Sequence, residues 1–600
     1  MILLLAIFIV AFRVQNVKAS ETIYIRANGL IEPLTANITS ADNVTYYFTD
    51  NNYDSIIVER DNIVVDGAGY TLQGTGYGIG INMTWRSNVT IKNTNVKNFG
   101  EAVYFSNTSS SRVSGNNINA SCGIILNWSS NNTISDNNIT CNVGIILEVA
   151  FNNTVSDNNI TCASDLWGCC ISLTESQNNK ISRNSVTATN ETGNRITLNR
   201  SGILLAYLSN NNSLIMNNIT HCEEGVQLYD SSDNVLRNNT MAENVYNFIV
   251  EGGLVNYVDT SNTIDGKPIY YLINKQDLII PSDAEFVALI NCTRMTVQGL
   301  TFSSHNKPGM LLAWTKNSTI TKNNMTRPGN EIKLYECSNN SIFENNITTG
   351  IYLENSLYNE IFENNMTFGD IDLKYSSENT VFGNTITRSE CGLDLYSSSK
   401  NVLSGNNLSK CKVGIDLFMH CSNNILYGNF IKTSSRDGIC LIESSHNLIY
   451  ENNIEENNQS GILFDAWSSN NTIFENNITN NNIGIRFAVS PNNTFCHNNF
   501  INNTQQVDIY VSYGINFWDN GVEGNHWSGY EERYPNATEI NGSGIWDTPY
   551  VIDKDNQDNY PLVKPIPEFP PVLILLLFML VTLLAATVYR RKHSTQNASR

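Results

Sequence analysis

The phrase "SSNNTISDNNIT", residues 129–140, contains four asparagines, and close variants of it recur along most of the 600-residue chain. Asparagine forms neither helices nor strands readily. Its repetition at a fixed distance from an apolar residue therefore needs a structural reason. Aligned on that apolar residue, the copies are anchored at Val65, Ile91, Val113, Ile134, Val155, Ile181, Leu214, Leu236, Val297, Ile320, Ile342, Ile361, Val381, Leu403, Ile425, Ile449, Ile473 and Phe495.

The repeat has the length and the pattern of a solenoid unit. Most steps between anchors are 19 to 26 residues, and each copy holds a glycine-led segment such as "GIIL", a polar turn, "NNTI" and a second Asn-Asn pair. Short alternating apolar segments indicate strands, and a unit this small must stack on its neighbours to bury its apolar side. The pattern predicts an all-β fold, a right-handed single-stranded parallel β-helix of about 18 coils, over residues 57–515. An irregular insertion is expected at about 242–292, where the anchors skip from Leu236 to Val297.

Stacked coils explain the asparagine. It stands three positions after the anchor in 14 of the 18 copies, as at Asn345, Asn364 and Asn384. Asparagine tolerates left-handed backbone geometry, and its amide group both donates and accepts hydrogen bonds. We therefore expect columns of asparagine that are hydrogen-bonded from coil to coil.

The two ends of the chain predict export and anchoring. Residues 1–20 have the apolar run of a signal peptide, and residues 566–592 contain an uncharged stretch from Val572 to Tyr589 followed by three basic residues. We expect an N-terminal β cap at 21–56, an aromatic-rich C-terminal cap at 516–565, one transmembrane helix and a cytoplasmic tail at 593–600. The predicted location is the extracellular face of the cell membrane, with a single pass.

Charge and cysteine content narrow the partners. The net charge of -20 and the pI near 4.8 argue against nucleic acid and anionic lipid surfaces. Thirteen cysteines agree with an oxidising compartment. Cys141 and Cys162 occupy equivalent positions in consecutive copies, where they form either a disulfide or two buried thiols.

The residue after the repeated asparagine is expected to face outward. In eight copies it begins an Asn-X-Ser/Thr sequence, which predicts a glycosylated exterior. These positions are Asn138, Asn159, Asn218, Asn324, Asn346, Asn365, Asn407 and Asn477.

The glycine-led strands carry the candidate site. Their outward middle position is Tyr352, Asp372, Asp394 and Asp416 in successive copies, and the next outward position adds Glu354, Lys374, Tyr396 and Asp465. Tyr352 and these four residues are the candidate ligand-binding residues beside the three aspartates. Three stacked carboxylates repel one another unless a cation or a shared proton intervenes. The strip therefore suits calcium or a sugar chain, a catalytic carboxylate pair, or only a solubilising surface. Beyond calcium, the strip itself indicates no cofactor.

Copper is a further alternative, because it requires soft ligands. Met419, His420 and Cys421 are consecutive, and Cys440 follows one copy later. Turn residues and ordinary packing are the competing explanation for these side chains.

Several non-repetitive phrases carry a family resemblance: "NTIDGKPIYYL", "IIPSDAEFVALINC", "NFWDNGVEGNHWSGY" and "WDTPYVIDKDNQDNYPL". With them the chain resembles archaeal surface proteins with NosD-like β-helix domains, also described as carbohydrate-binding and sugar-hydrolase repeats. The resemblance implies a right-handed β-helix, export, and either polysaccharide interaction or help in maturing a copper enzyme. Relatives often carry an aspartate-rich loop where this chain has "EINGSGIWDTPY", which argues against calcium there. The tail resembles archaeal surface anchors with a PEF motif, some of which are processed by a sortase-like enzyme.

Together these observations predict an exported, membrane-anchored β-helix protein that binds polysaccharide or another extended ligand at the cell surface. Three alternatives remain open: a polysaccharide hydrolase or lyase that uses the aspartate strip, a copper-handling accessory protein, and a passive envelope or adhesion element.

Overall fold

The computed structural model describes residues 22–163, 168–189, 201–511 and 514–567. They form an all-β parallel solenoid of the right-handed type, as predicted, with about 21 turns instead of about 18. The chain divides into two compact units, the first up to Tyr271 with Ser304–Lys307, and the second Leu272–Ser303 with Pro308 onward.

The predicted signal peptide, membrane anchor and cytoplasmic tail lie outside the described residues, except for the first two residues of the anchor. Within the described ranges, no helix has the length and apolar character needed to cross a membrane.

Each coil contributes short strands to three faces, which we name by their sequence features. The anchor face holds the apolar anchors, the sequon face the Asn-X-Ser/Thr positions, and the glycine face the glycine-led strands. In the first unit, the anchor face comprises Ile38–Thr39, Thr45–Phe48, Ile63–Asp66, Val89–Lys92, Arg112–Ser114, Thr133–Ser135, Thr154–Ser156, Lys180–Ser182, Ser213–Ile215, Val235–Arg237 and Tyr257–Val258.

The other two faces of the first unit share two long strands, Asn117–Asn127 and Asn138–Glu148. The sequon face adds Thr71–Gln73, Asn95–Lys97, Asn159–Ala163, Ser185–Thr189, Asn218–Thr220, Thr240–Ala242 and Thr263–Ile264. The glycine face adds Ile23–Ile25, Ile56–Val58, Ile79–Asn82, Glu101–Ser106, Ile171–Thr174, Ser201–Ala206, Glu224–Tyr229 and Tyr246–Glu251. Two strands pair antiparallel at the ends of these faces, Ile31–Glu32 and Lys267–Ile273.

The second unit repeats the three faces with greater regularity. Its anchor face comprises Thr296–Gln298, Thr319–Thr321, Ser341–Phe343, Glu360–Phe362, Thr380–Phe382, Val402–Ser404, Ile425–Tyr427, Leu448–Tyr450, Thr472–Phe474 and Thr494–Cys496. Its sequon face comprises Asn324–Met325, Asn346–Ile347, Asn365–Thr367, Thr385–Thr387, Asn407–Ser409, Phe430–Lys432, Asn453–Glu455, Asn477–Thr479, Asn499–Ile501 and His526–Trp527. Its glycine face comprises Phe286–Ile290, Met310–Ala313, Ile332–Tyr335, Gly350–Glu354, Asp370–Lys374, Cys391–Tyr396, Val413–Phe418, Ile439–Ile442, Ser460–Asp465, Ile483–Ala488 and Gln505–Val511.

The anchors stack in register as predicted, with one misplacement and one omission. Leu403 pairs with Leu426, not with the predicted Ile425, because in this copy the two apolar neighbours are ambiguous by sequence and only the pairing decides which one points inward. Val258 pairs with Leu236 and continues the column into the predicted insertion.

The predicted asparagine ladder is confirmed. In the second unit, Asn345 Nδ2 donates to Asn364 Oδ1 at 2.9 Å, and Asn364 Nδ2 donates to Asn384 Oδ1 at 3.0 Å. The left-handed conformation was assigned to the wrong residue, however, since it falls on the residue before the ladder, as at Glu344 and Glu363 with φ of 53°. The asparagine is required at this position for its amide group, which forms hydrogen bonds between neighbouring coils.

A second buried ladder follows the turn before each anchor, and the sequence analysis missed it. In the second unit, Asn340, Asn359 and Asn379 are buried. Asn340 Nδ2 donates to Asn359 Oδ1 at 3.0 Å, and Asn359 Nδ2 donates to Asn379 Oδ1 at 3.1 Å. The first Asn-Asn pair of each repeat was the sequence feature that indicated this second ladder.

The predicted C-terminal cap region packs aromatic rings on the last coil. Trp518 stacks on Phe495 with centroids 4.5 Å apart, and Trp527 stacks between Phe500 and Tyr550 at 4.3 and 4.2 Å. This region also holds the helix Tyr530–Arg533 and the antiparallel strands Tyr550–Val551 and Gln557–Asp558.

The buried carboxylate of Asp558 joins the strands of this region. It accepts hydrogen bonds from Asn525 N at 2.7 Å, Trp527 Nε1 at 2.8 Å and Tyr560 N at 3.0 Å. Burial raises the pKa of Asp558 to about 7. The side chain acts as a polar centre for an otherwise aromatic cap.

Cys141 and Cys162 are register partners on adjacent strands, as the repeat predicts. Their sulfur atoms lie 4.0 Å apart, which is about twice the length of a disulfide bond. This distance is a contact between thiols, so the disulfide stays a prediction.

Candidate functional site

The first outward column of the glycine face in the second unit brings the three aspartates together. Strand pairing places the following residues side by side in order: Lys333, Tyr352, Asp372, Asp394, Asp416, Cys440, Leu463 and Arg486. Because adjacent parallel strands lie about 4.8 Å apart, each aspartate is a direct neighbour of the next. We call Asp372, Asp394 and Asp416 the acidic strip.

A second outward column runs beside the strip, two residues further along each strand. It contains Tyr335, Glu354, Lys374, Tyr396, Phe418, Ile442 and Asp465. Glu354, Lys374 and Tyr396 therefore border the strip. Asp465 stands two coils beyond Asp416, so the structure does not bring it to the strip.

The surroundings of the strip raise the pKa of each of its three carboxyl groups. Burial, with Asp394 and Asp370 next to it, raises the pKa of Asp372 to about 7. Burial and the charge of Asp394 raise the pKa of Asp416 to about 6, and burial also raises the pKa of Asp394. Half-buried side chains at strand spacing disfavour three simultaneous charges, so the strip can both donate and accept hydrogen bonds.

Two acidic groups that the sequence analysis missed extend the strip. Asp370 takes the place of the usual glycine and pairs with Gly350; burial, then the charges of Asp394 and Glu331, raise its pKa to about 6. Asp437 is only 1% exposed, and its Oδ1 accepts a hydrogen bond from Ser460 N at 3.0 Å. In "GDIDL", residues 369–373, the first aspartate stands where other copies have the glycine that leads the strand, and this was the sequence signal for Asp370.

Tyrosines and one lysine form the neutral end of the site. Tyr352 donates from its hydroxyl to Glu354 Oε2 at 2.9 Å, and its ring packs edge-on against Tyr335 with centroids 6.2 Å apart. Lys333 lies 5.9 Å from the centroid of the Tyr352 ring and forms an ion pair with Glu331 at 2.9 Å. An aromatic surface thus adjoins the carboxylates.

The acidic residues of the site do not form a metal-binding cluster among the residues that the structure describes. Over the described ranges, no three or more His, Cys, Asp or Glu side chains are arranged to hold a metal ion. The calcium assignment therefore stays a prediction without support from this arrangement.

The copper ligands suggested by the sequence also do not converge. Cys421 is fully buried and its sulfur accepts a hydrogen bond from Ser398 N at 3.4 Å, while His420 is exposed. Met419 Sδ accepts a hydrogen bond from the Tyr396 hydroxyl at 3.2 Å. Burial raises the pKa of Cys421 to about 11, which disfavours the thiolate that copper would need. These residues do not fit a copper ion.

The eight sequon asparagines occupy the outward register of the sequon face. Asn138, Asn159, Asn218, Asn346, Asn365 and Asn407 are exposed, and Asn324 and Asn477 are half-buried. This is the position that glycan attachment requires, and occupancy stays a prediction.

Solved β-helix structures are distantly similar to the chain. The periplasmic alginate epimerase AlgG is 12% identical over 73% of this chain and 79% of that one, with a TM-score of 0.15. The A-module of the Azotobacter vinelandii mannuronan C-5 epimerase AlgE4 is 10% identical over 62% and 90%, with a TM-score of 0.20. The tailspike protein of E. coli bacteriophage HK620, in complex with a pentasaccharide, is 11% identical over 77% and 70%, with a TM-score of 0.24. TM-scores this low support no functional argument.

No curated protein is significantly similar to the chain in sequence. The sequence profile of the NosD family, described as periplasmic copper-binding protein, matches residues 14–269, 260–369, 349–431 and 369–532. These matches span most of both units and include the acidic strip. The chain therefore belongs to the NosD family.

Proposed function

We propose that this protein is exported and binds polysaccharide at the cell surface through the acidic strip and its aromatic border. The periplasmic description of its family supports export. The observation that carries the binding proposal is the unbroken register of Asp372, Asp394 and Asp416 beside Tyr396 and Tyr352. Repeated polar groups at a fixed spacing suit a ligand that is itself repetitive.

The chemistry of the strip indicates the kind of polysaccharide. Carboxyl groups accept hydrogen bonds from sugar hydroxyls, and tyrosine rings pack against the apolar faces of sugars. Asp370 adds a fourth carboxyl group beside the strip, and the chain has a net charge of -20, so polyanionic chains are repelled. We therefore expect neutral or amino-sugar polymers to bind and uronate polymers not to bind.

Binding of the full-length protein to a panel of soluble neutral, amino-sugar and uronate polysaccharides tests this proposal. Asp394→Asn is expected to weaken binding of the preferred polymer at least fivefold. Glu363→Gln, an exposed carboxylate on another part of the coil, is the matched control and should leave binding unchanged. Binding that is equal in both variants, or a wild-type protein that binds none of the polymers, would contradict the proposal.

A polysaccharide hydrolase or lyase is the second candidate function. It is favoured by the raised pKa values of Asp372 and Asp416, because a carboxyl group that is protonated near neutral pH can serve as a general acid next to an ionised neighbour. Release of reducing ends from a glycan panel, abolished by Asp394→Ala, would establish catalysis. An inert wild-type protein on that panel removes this candidate.

The remaining alternatives make different predictions. A copper-handling role requires stoichiometric Cu(I) binding that survives dialysis and is lost when Cys421 is replaced. A passive envelope or adhesion element should bind no sugar at all. The proposal also includes N-linked glycans on the sequon face, membrane attachment at residues 566–592 and a Cys141–Cys162 disulfide. Mass measurement before and after deglycosylation and reduction tests the glycans and the disulfide.

A further inference from the structure

Four buried cysteines of the first unit form a continuous row of thiols. Cys141 and Cys162 are register partners on adjacent strands, and their sulfur atoms lie 4.0 Å apart. The thiol of Cys170 lies against those of Cys162 and Cys222, and these contacts, together with burial, raise the pKa of Cys170 well above its ordinary value. The exposed fraction of each of the four residues is between 1% and 4%. We call Cys141, Cys162, Cys170 and Cys222 the thiol row.

Cys170 occupies a position at which neighbouring coils carry no side chain. Strand pairing places it between Gly144 and Gly202, in the column of residues that lead the glycine-face strands. A Cβ atom on Gly202 would lie 3.1 Å from the sulfur atom of Cys222. The glycine therefore lets the sulfur of Cys222 approach the coil of Cys170, and the fold itself does not require a sulfur atom in this column.

Two other cysteines lie near the row but have different polar neighbours. Cys122 is the register partner of Glu101, and Cys169 forms hydrogen bonds with Ser201. Both cysteines are half-buried, unlike the four members of the thiol row. Contacts within the row therefore follow a single order, from Cys141 through Cys162 and Cys170 to Cys222.

This order decides how the four thiols can pair. Four cysteines allow three connectivities, and a disulfide requires side chains that already lie next to each other. A bond between the two inner thiols leaves both outer thiols without a partner in the row, whereas a bond from each outer thiol to its inner neighbour uses all four. We infer that the exported protein carries two disulfides in the thiol row, Cys141–Cys162 and Cys170–Cys222.

The bonds form by thiol–disulfide exchange, so the inference rests on the proposed export into an oxidising compartment. One thiolate of each pair attacks an external disulfide, and the second thiolate then displaces the resulting mixed disulfide. The external disulfide leaves as two thiols and takes up the two electrons and two protons that the pair of cysteines loses. Because burial disfavours the thiolate, the exchange must precede the stacking of these coils, and the finished bonds are shielded from reductants.

The second disulfide encloses the longest insertion between anchors in the first unit. The step from Ile181 to Leu214 is 33 residues, and Cys170 and Cys222 lie on either side of it. A cross-link removes loop-closure entropy from the unfolded chain, and in the chain-entropy model this stabilisation grows with the length of the closed loop. The bond therefore stabilises the part of the unit in which consecutive coils are least closely connected by sequence.

Disulfide mapping of the full-length chain, directed by a bacterial export signal to the periplasm of a host without N-glycosylation, tests the inference. Free thiols are alkylated during denaturation, and cleavage before aspartate and after lysine and arginine places the four cysteines of the row on separate peptides. We expect two cross-linked peptide pairs, Cys141 with Cys162 and Cys170 with Cys222, in the majority of molecules. Millimolar dithiothreitol should leave both bonds intact in the folded protein and reduce them in urea.

Three variants assign the bonds. Cys222→Ser and Cys170→Gly, which restores the residue of the neighbouring coils, should each lose the second peptide pair and keep the first. Cys337→Ser is the matched control in the second unit: Cys337 is buried, and the next coil has Ser356 at this position, so both pairs should stay unchanged. The loss of stability in urea that Cys222→Ser causes should shrink when both proteins are compared in dithiothreitol.

Three outcomes overturn the inference: a bond between Cys162 and Cys170, the Cys141–Cys162 bond alone, or complete alkylation of all four thiols in protein recovered from the periplasm. The added export signal makes each outcome independent of whether residues 1–20 act as a signal peptide. A failure of the pairing is thereby distinguished from a failure of the proposed export, which fractionation of cells that make the unmodified chain measures separately.

Discussion

Replacing Asn364 by alanine removes one complete step of the buried asparagine ladder. Asn364 Nδ2 donates to Ile342 O at 2.9 Å, to Asn384 Oδ1 at 3.0 Å and to Phe362 O at 3.1 Å. Its Oδ1 accepts from Asn345 N at 3.1 Å and from Asn345 Nδ2 at 2.9 Å. The substitution leaves the buried Asn345 N–H without this acceptor. At about 1 kcal/mol for each lost hydrogen bond, and more for a stranded buried donor, the free energy of unfolding should fall by about 3 to 5 kcal/mol.

The assay must detect local as well as global unfolding, because neighbouring coils of a repeat protein can open separately. Urea denaturation should be combined with hydrogen exchange of peptides from residues 335–390, using protein made in a host without N-glycosylation. Asn365→Ala is the matched control: Asn365 is exposed and its Nδ2 lies 3.4 Å from Asn346 Oδ1, so its loss should cost less than about 1 kcal/mol. Equal losses for the two variants would refute the reasoning, because the buried ladder would then contribute no more than an exposed pair.

Three further predictions follow from single contacts. Gly414→Ala places a Cβ atom 2.4 Å from Gly438 O, so overpacking should lower the free energy of unfolding by about 3 kcal/mol. Gly428→Ala, at φ +60° with open space around it, should lower it by only about 1 kcal/mol. Similar urea midpoints for the two variants would contradict this difference. Asp558→Ala strands the buried N–H groups of the cap and should cost about 3 kcal/mol or more, measured as earlier proteolysis of the C-terminal region; unchanged proteolysis would rule it out. The pKa of Asp372 is raised to about 7 from 3.8 in the folded state, so its stabilising effect is complete below about pH 4 and is lost as the pH rises through about 7. Asp372→Asn should flatten the fall in stability between these values by at most about 4 kcal/mol, and an unchanged pH profile of the urea midpoint would refute the assignment.

The fold could be predicted from the sequence because its period and its side-chain alternation are local properties. Each copy repeats an anchor, a turn and an asparagine at fixed distances, and stacking is the one way for such short strands to bury the anchors. The same regularity predicted that Asp372, Asp394 and Asp416 would be neighbours, because two residues at equivalent positions in consecutive coils must lie one strand spacing apart.

The local sequence pattern is ambiguous at two positions. Ile425 and Leu426 are both apolar, and only the pairing with Leu403 shows which one points inward. Asp370 replaces the glycine that leads the strand in most copies, so the repeat pattern alone does not predict an acidic group there, and its pairing with Gly350 places it beside the strip.

The sequence by itself determined the solenoid, the order of its coils and most of the residues that form each column, since these follow from the repeat length and the two-residue period of a strand. Only the tertiary structure decided the burial of the acidic strip and the direction of its pKa shifts, the hydrogen bonds around Asp558, and the stacking of Trp518 and Trp527 on the last coil. These properties depend on how much solvent the neighbouring coils exclude and on the direction in which each side chain points. Both are determined by contacts with residues that are distant in the sequence.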